Sequence, residues 1–252
     1  MFDSYRRRAQ LGMYKSKRII AVVPAYNEEV RIARVVERTD FRVIDRLLVV
    51  NDASTDRTAE TARGKGADVL TLPQRSGVGA AIRAGIQFAR DQGFDIAVVM
   101  AGNNKDNPAE VPRLLDPICE DGFDFVIGSR YLSGGQCGGD MPFYRRIATR
   151  LHPFLLGLFA RKKLTESTNG FRAFRLDLFD DQRIRLDQPW LDAYGLEVYM
   201  LWKVLKLGYK HKEVACTKNY PPRSQSQTKM TPIIGWWSIL RPVFLLGLGI
   251  RQ

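Results

Sequence analysis

Short apolar runs recur along the first half of the chain: "RIIAVV" at 18–23, "RLLVV" at 46–50, "DVLTL" at 68–72, "DIAVVM" at 95–100 and "DFVIG" at 124–128. Runs this short, rich in β-branched residues and apolar at consecutive positions, predict strands buried on both faces. Helical patterns separate them. In the clearest, Val78, Ala81, Ile82, Ala84, Gly85, Ile86 and Ala89 keep a 3.6-residue period. The alternation predicts a doubly wound, mostly parallel α/β sheet with right-handed crossovers. No internal repeat interrupts it.

The pattern changes near residue 133. "SGGQCGGD" reads as a flexible, glycine-rich connection. A basic, apolar segment follows from Ile147 to Lys163. Ile147, Leu151, Phe154, Leu155, Leu158 and Phe159 share one helical face, and Pro153 is placed to interrupt or kink it. The tail "TPIIGWWSILRPVFLLGLGIRQ" is the most apolar stretch, divided by Arg241 and Pro242. Its paired tryptophans, Trp236 and Trp237, beside apolar residues and arginines predict an interfacial segment; a buried terminal helix is the alternative. The predicted divisions are a basic extension at 1–17, an α/β domain at 18–230 with halves 18–132 and 133–230, and an apolar tail at 231–252.

Charge sharpens this division. The formal net charge is +12. Residues 1–18 carry +5, residues 141–163 carry +6 and residues 199–252 carry +8, which leaves −7 for the remainder. Positive charge gathered on the N-terminus and the later half suits anionic lipid, phosphate groups or nucleic acid, or is a solvated surface. The aromatics of the tail cluster with aliphatics rather than interleaving with lysines, which argues against a nucleic-acid binder. Cys119, Cys137 and Cys216 lack metal or disulfide spacing and fit a reducing cytoplasm. The basic start lacks the apolar core of a secretory signal, and no run of eighteen uncharged apolar residues predicts a span.

In a doubly wound sheet, ligands sit beyond the carboxyl ends of the strands. Four strand ends carry polar clusters there: Pro24-Ala25-Tyr26-Asn27-Glu28-Glu29, the stretch Asn51 to Thr58, the stretch Ala101 to Asp106, and Gly128-Ser129-Arg130-Tyr131. Each alone could merely cap a helix, as Asp56 and Thr58 or Asn27 and Glu28 would. Four in this order point to a ligand edge. "PAYNEE" is acidic, where a nucleotidyltransferase would want a basic phosphate loop.

These residues resemble the family-2 glycosyltransferases with the GT-A fold, and within them the dolichyl-phosphate mannose synthase-like group. The resemblance runs from about Ile19 to Lys229. It rests on "VVPAYNEE", on "VNDASTDRT" with Asn51 for the first Asp of the family's pattern, and on "RSGVGAAIRAG", "VIGSRY", "ESTNGFRAFR" and "YPPRSQSQTKM". It implies inverting transfer of a sugar from a GDP- or UDP-sugar to a membrane-bound acceptor, a polyprenyl phosphate above all, at the cytoplasmic face of a membrane. The half at 18–132 would bind the nucleotide-sugar, and the half at 133–230 the acceptor. Pro24, Tyr26 and Glu28 would line the base and ribose pocket, and Asp52 would accept hydrogen bonds from base or ribose. Gly77 and Gly79 would let backbone approach the nucleotide. Arg130, Arg145 or Arg146, and Arg223 with Lys229 would meet the acceptor phosphate through the arginine fork.

One departure stands out. The family's Asp-x-Asp-x-Gln motif holds magnesium or manganese on the donor diphosphate. Here Ala101, Asn103 and Lys105 take its three places. Two carboxylates are lost and a cation is gained, which argues against the usual metal geometry. Three readings stay open: Lys105 neutralises the diphosphate, Asn103 with Asp106 still holds a metal, or Lys105 points to solvent. An inactive nucleotide-binding protein is a further reading. No organic cofactor is expected. An anionic lipid phosphate needs no general base, which suits a chain whose two histidines, His152 and His211, sit in no motif. A sugar-hydroxyl acceptor, the other enzymatic alternative, would need Glu166 or Asp192 as base.

Overall fold

A computed structural model describes residues 13–221 and 232–251, with the side chains of 232–236 left aside. The five predicted strands form as β1 (Ile19–Ala25), β2 (Arg46–Asn51), β3 (Asp68–Thr71), β4 (Ile96–Val99) and β5 (Phe125–Ser129). Helices α1 (Glu29–Glu37), α2 (Thr58–Gly64), α3 (Val78–Asp91) and α4 (Val111–Cys119) follow the first four.

Burial explains the unbroken apolar runs. Along β1, Ile20 and Val22 join one core with α3, while Ile19, Ala21 and Val23 join the other with α1 and α4. Both faces are covered, so every position must be apolar.

Beyond β5 come β6 (Gln136–Gly139), α5 (Phe143–Ala160), β7 (Arg172–Arg175), α6 (Gly195–Leu207), β8 (His211–Ala215), β9 (Thr217–Tyr220) and α7 (Pro232–Gly247). The main sheet has the order β3-β2-β1-β4-β7-β5-β8. All neighbours are parallel except β7, which runs antiparallel between β4 and β5. That strand, "RAFR", carries two arginines. Arg172 is 1% exposed, held by the carbonyls of Glu197 and Asn169. A separate parallel pair, β6 and β9, lies beside the sheet. After β3 the chain crosses to the other side of β1 to lay down β4, so the sheet order reverses between β1 and β4.

The later half adds detail to two sequence expectations. Pro153 does not end its helix; α5 runs through it from Phe143 to Ala160. The apolar tail forms a helix that is packed on one side and exposed at Trp237. α7 packs against α5 and α6, with Val243 and Leu246 buried and Phe244 set edge-on to Phe159. Among the described residues no helix is long and apolar enough to cross a membrane.

Candidate active site

The loops that follow β1, β2 and β4 each turn through a left-handed residue other than glycine: Asn27 (φ 52°), Ala53 (φ 51°) and Asn104 (φ 56°). Such conformations cost on the order of 1–2 kcal/mol each and persist only where surroundings enforce them. Here side chains do so. Asn27 Oδ1 accepts from the Thr55 amide at 2.9 Å, and Asn51 Oδ1 from the Ser54 amide at 3.1 Å. The Asn at position 51 is thus a buried turn lock.

These loops line a cavity of about 380 Å³ at the switch point between β1 and β4. Pro24, Tyr26 and Glu28 come from the first loop, Asp52 from the second, Gly77 from the start of α3, and Asn103 with Lys105 from the fourth strand's loop. Arg75 stacks over the Tyr26 ring at 4.3 Å, and Arg31 pairs with Glu28 at 2.9 Å. A second cavity of about 160 Å³ adjoins it, lined by Arg130, Thr168, Lys218 and Tyr220 below and by Ala148, Ile239 and Leu240 from α5 and α7. Asn103, Lys105, Arg145, Tyr194 and Glu197 border both cavities.

Several expected residues take different roles. Asp52 reaches the cavity, but its two oxygens already accept the Ser76 amide at 2.6 Å and the Gly77 amide at 2.9 Å. It fixes the turn into α3 and keeps only its remaining lone pairs for a ligand. Gly77 borders the cavity at φ 102°. Gly79 does not. A Cβ there would meet the Leu191 carbonyl at 1.9 Å, and the Gly79 amide donates to the Ala193 carbonyl at 3.0 Å. Its missing side chain admits the 191–193 backbone rather than a nucleotide.

Of the two arginines Arg145 and Arg146, one reaches the cavities. Arg145 borders both cavities and lies 5.6 Å over the Tyr220 ring, whereas Arg146 is exposed and borders neither. Successive helix residues diverge by about 100°, so only one could face inward. Arg130 is 4% exposed. It donates to Glu166 at 2.7 Å, to the Tyr220 hydroxyl at 2.5 Å and to Thr168 at 3.0 Å. Burial opposes ionisation of Glu166, yet the Arg130 guanidinium and the Thr168 hydrogen bonds hold its carboxyl below the usual range. Glu166 is fully buried and also accepts from the Ser167 amide, so it cannot serve as a base toward a substrate. Asp192 is ion-paired with Arg83 at 2.6 Å. Arg223 and Lys229 lie outside the described residues.

Asp106, the expected partner of Asn103 in a metal site, is buried beneath the cavity. Its oxygens accept the Ala101 amide at 2.9 Å and the Lys218 ammonium at 2.7 Å. Among the described residues no group of three or more His, Cys, Asp or Glu side chains could hold a metal. Lys105 lies 5.3 Å over the Tyr220 ring and has no salt-bridge partner among the described residues. Burial first, then Arg145 and Lys218, pull its ammonium down to about 8.

Sequence reasoning missed Tyr194, Glu197 and Tyr220. Glu197 shares the first turn of α6 with apolar residues, where a carboxylate reads as a complement to the helix dipole. Its proximity to Arg172, 3.5 Å away from another strand, exists only in three dimensions.

A polar crevice at a sheet reversal, joined to a second cavity, is where a doubly wound sheet places a ligand. The solved glucosyl-3-phosphoglycerate synthase of Mycobacterium tuberculosis, in complex with Mn2+, uridine diphosphate and phosphoglyceric acid, superposes with a TM-score of 0.69 at 21% identity. The match covers 96% of this chain and 84% of that one, and it shows a common fold. The family model of Glycosyl transferase family 2 matches residues 20–183, and the chain belongs to that family. It is similar to the undecaprenyl-phosphate mannosyltransferase of Micrococcus luteus, with 32% identity over 85% of this chain and 88% of the relative. The dolichyl-phosphate hexose transferase of Haloferax volcanii is 32% identical over 92% and 95%. The polyprenol monophosphomannose synthase of Mycolicibacterium smegmatis is 29% identical over 86% and 82%. The chain is a glycosyltransferase.

Proposed function

We propose that the chain transfers a sugar from a nucleoside-diphosphate sugar to a polyprenyl phosphate, with inversion. The observation that carries this is the second cavity. Its polar side carries Lys105 and Arg145, with Arg130 and Lys218 beside them already paired to Glu166 and Asp106 and with Glu197 also at the border, and its other side is apolar, formed by Ala148, Ile239 and Leu240. A phosphate on an apolar chain matches both parts. The named activities of the curated relatives agree with it.

In the reaction, an acceptor phosphate oxygen forms the bond to the anomeric carbon. The bond from that carbon to the diphosphate oxygen breaks, and its electron pair leaves with the nucleoside diphosphate. The nucleophile is already anionic, so no proton need be removed, in keeping with the engagement of Glu166 and Asp192 elsewhere. The contribution of the chain is alignment and charge stabilisation.

The same reading places the enzyme on an anionic bilayer as a peripheral protein at the cytoplasmic face. Phe143, Ile147, Leu151, Phe154 and Leu158 are exposed along α5, and Trp237 is exposed on α7. Arg146, Arg150, Arg161, Lys162 and Lys163 flank that stripe and are exposed or half-exposed. Apolar burial with flanking cations suits a membrane interface.

The test is transfer of label from a panel of UDP- and GDP-sugars to polyprenyl phosphate and to the corresponding alcohol. Label entering the organic phase only with the phosphate supports the proposal. Equal transfer to the alcohol contradicts it.

A further inference from the structure

The chain holds two largely buried lysines close together, and only one is explained. Lys218 is paired with Asp106 at 2.7 Å and with Asn169 at 2.7 Å, so its charge is met inside the protein. Lys105 has no such carboxylate. It stands where the two cavities join, with Arg145 from α5 also bordering both. The groups around it are Arg145 and Tyr220, Lys218 below, and Glu28 and Arg31 across the donor cavity. A partly buried cation surrounded mainly by cations is costly unless an anion completes the site.

The neighbouring backbone positions define which anion. Asn103 and Lys105 follow β4 on the loop beside the crevice, at places where the family resemblance puts metal-binding side chains. The residues present do not fit a metal. Ala101 has no donor side chain, Asn103 offers an amide whose oxygen accepts the Lys105 amide at 3.2 Å, and Asp106 is committed to Ala101 and Lys218. A magnesium ion on a diphosphate is usually held through at least one or two protein carboxylates, and this loop offers none that is not already engaged.

We propose that Lys105, seconded by Arg145, neutralises the donor diphosphate directly, in the place that a divalent cation takes in metal-dependent members of the fold. The two side chains together supply the formal charge of one such ion. In a partly desolvated cleft that attraction is several-fold stronger than in water. As the bond to the anomeric carbon breaks, negative charge grows on the departing diphosphate, within reach of both cations. The position of Lys105 at the junction also sets it against the incoming phosphate, so one ammonium draws donor and acceptor to adjacent sites.

This inference rests on the nucleotide-sugar reading, and the experiment separates the two. GDP, UDP, GMP and UMP are titrated calorimetrically into the full chain in excess chelator and again with manganese. The parent should bind one of the diphosphates equally in both conditions. Lys105→Ala should weaken the diphosphate about tenfold or more, the worth of a charged contact, and leave the matching monophosphate within about twofold. Lys105→Arg, which keeps the charge, should stay close to the parent, and a thermal melt checks that each variant is folded. Manganese spin resonance should show no ion taken up by the protein beyond that held by free nucleotide. Diphosphate binding that collapses in chelator and returns with manganese overturns the proposal. Equal weakening of mono- and diphosphate by Lys105→Ala also overturns it while leaving the nucleotide-sugar reading standing. Absence of binding by every nucleotide overturns both.

Discussion

The two cavities are built by different means. The larger cavity, proposed for the donor, is lined mainly by loops that follow parallel strands, and these are fixed by contacts between adjacent loops: Asn27 with Thr55, Glu29 with Asp56, Asp52 with Ser76 and Gly77. The smaller cavity, proposed for the acceptor, is assembled from distant segments, and buried charge holds it together. Arg130 reaches Glu166 and Tyr220, and Asp106 reaches Lys218, across 36, 90 and 112 residues respectively. Strand order positions most of the first cavity, whereas the second depends more on ion pairs that are costly to break. The acceptor side should therefore respond more to the loss of a single charge, and the donor side to the loss of backbone fit.

The largest expected effect follows from the Arg130–Glu166 pair. Glu166→Gln leaves the buried guanidinium without its counter-charge and should cost about 3–5 kcal/mol in denaturant unfolding. Its pH dependence has a definite sign. The Glu166 carboxyl is held below its ordinary 4.5, so its contribution is fully present above that value and disappears as pH falls through the lower native value. The parent should lose stability across that acid window, and the variant should lack this component. Equal acid sensitivity in both would break the contrast between the two sides.

On the donor side, Gly79→Ala should cost about 1–3 kcal/mol, because the added methyl overlaps the Leu191 carbonyl. Nucleotide affinity should fall with it, since Ala193 and Tyr194 beside that backbone border the cavity. Unchanged melting would show that the 191–193 segment moves aside freely.

Arg145 and Arg146 offer a finer comparison within one helix. Arg145→Ala should lower kcat/KM for the acceptor by about 10- to 100-fold, the worth of a charged hydrogen bond to phosphate, and Arg146→Ala by less than about twofold. Equal losses would mean that both act through general surface charge. Leu158→Glu should leave turnover on detergent-dispersed acceptor intact but weaken sedimentation with anionic vesicles by about tenfold, in line with removing one apolar side chain from the interface. Undiminished sedimentation would remove α5 from the membrane-facing surface.

The same contrast explains what could be read from the sequence. The five parallel strands and the ligand edge were legible because two-sided burial writes an unbroken apolar run and each run ends in a polar turn. Strand β7 was not, because "RAFR" buries an arginine that the carbonyls of Glu197 and Asn169 and the Glu197 carboxylate make tolerable. Asp106 stayed open as a metal ligand because its partner Lys218 is remote in sequence. Gly79 read as a glycine that lets backbone approach the nucleotide for a similar reason: the backbone that fills its space belongs to 191–193. The tail read as an anchor because composition alone does not distinguish Val243 and Leu246, which are buried, from Trp237, which is exposed.

One measurement tests the central claim most directly. The chain is offered a labelled nucleotide-sugar with equal concentrations of polyprenyl phosphate and of 3-phosphoglycerate, the acceptor type named for its solved structural neighbours. An apolar wall facing Lys105 and Arg145 predicts that glycolipid exceeds the water-soluble product by about 100-fold or more, the worth of burying a few methylene groups. Predominant labelling of 3-phosphoglycerate would contradict the assignment of the second cavity to a lipid phosphate.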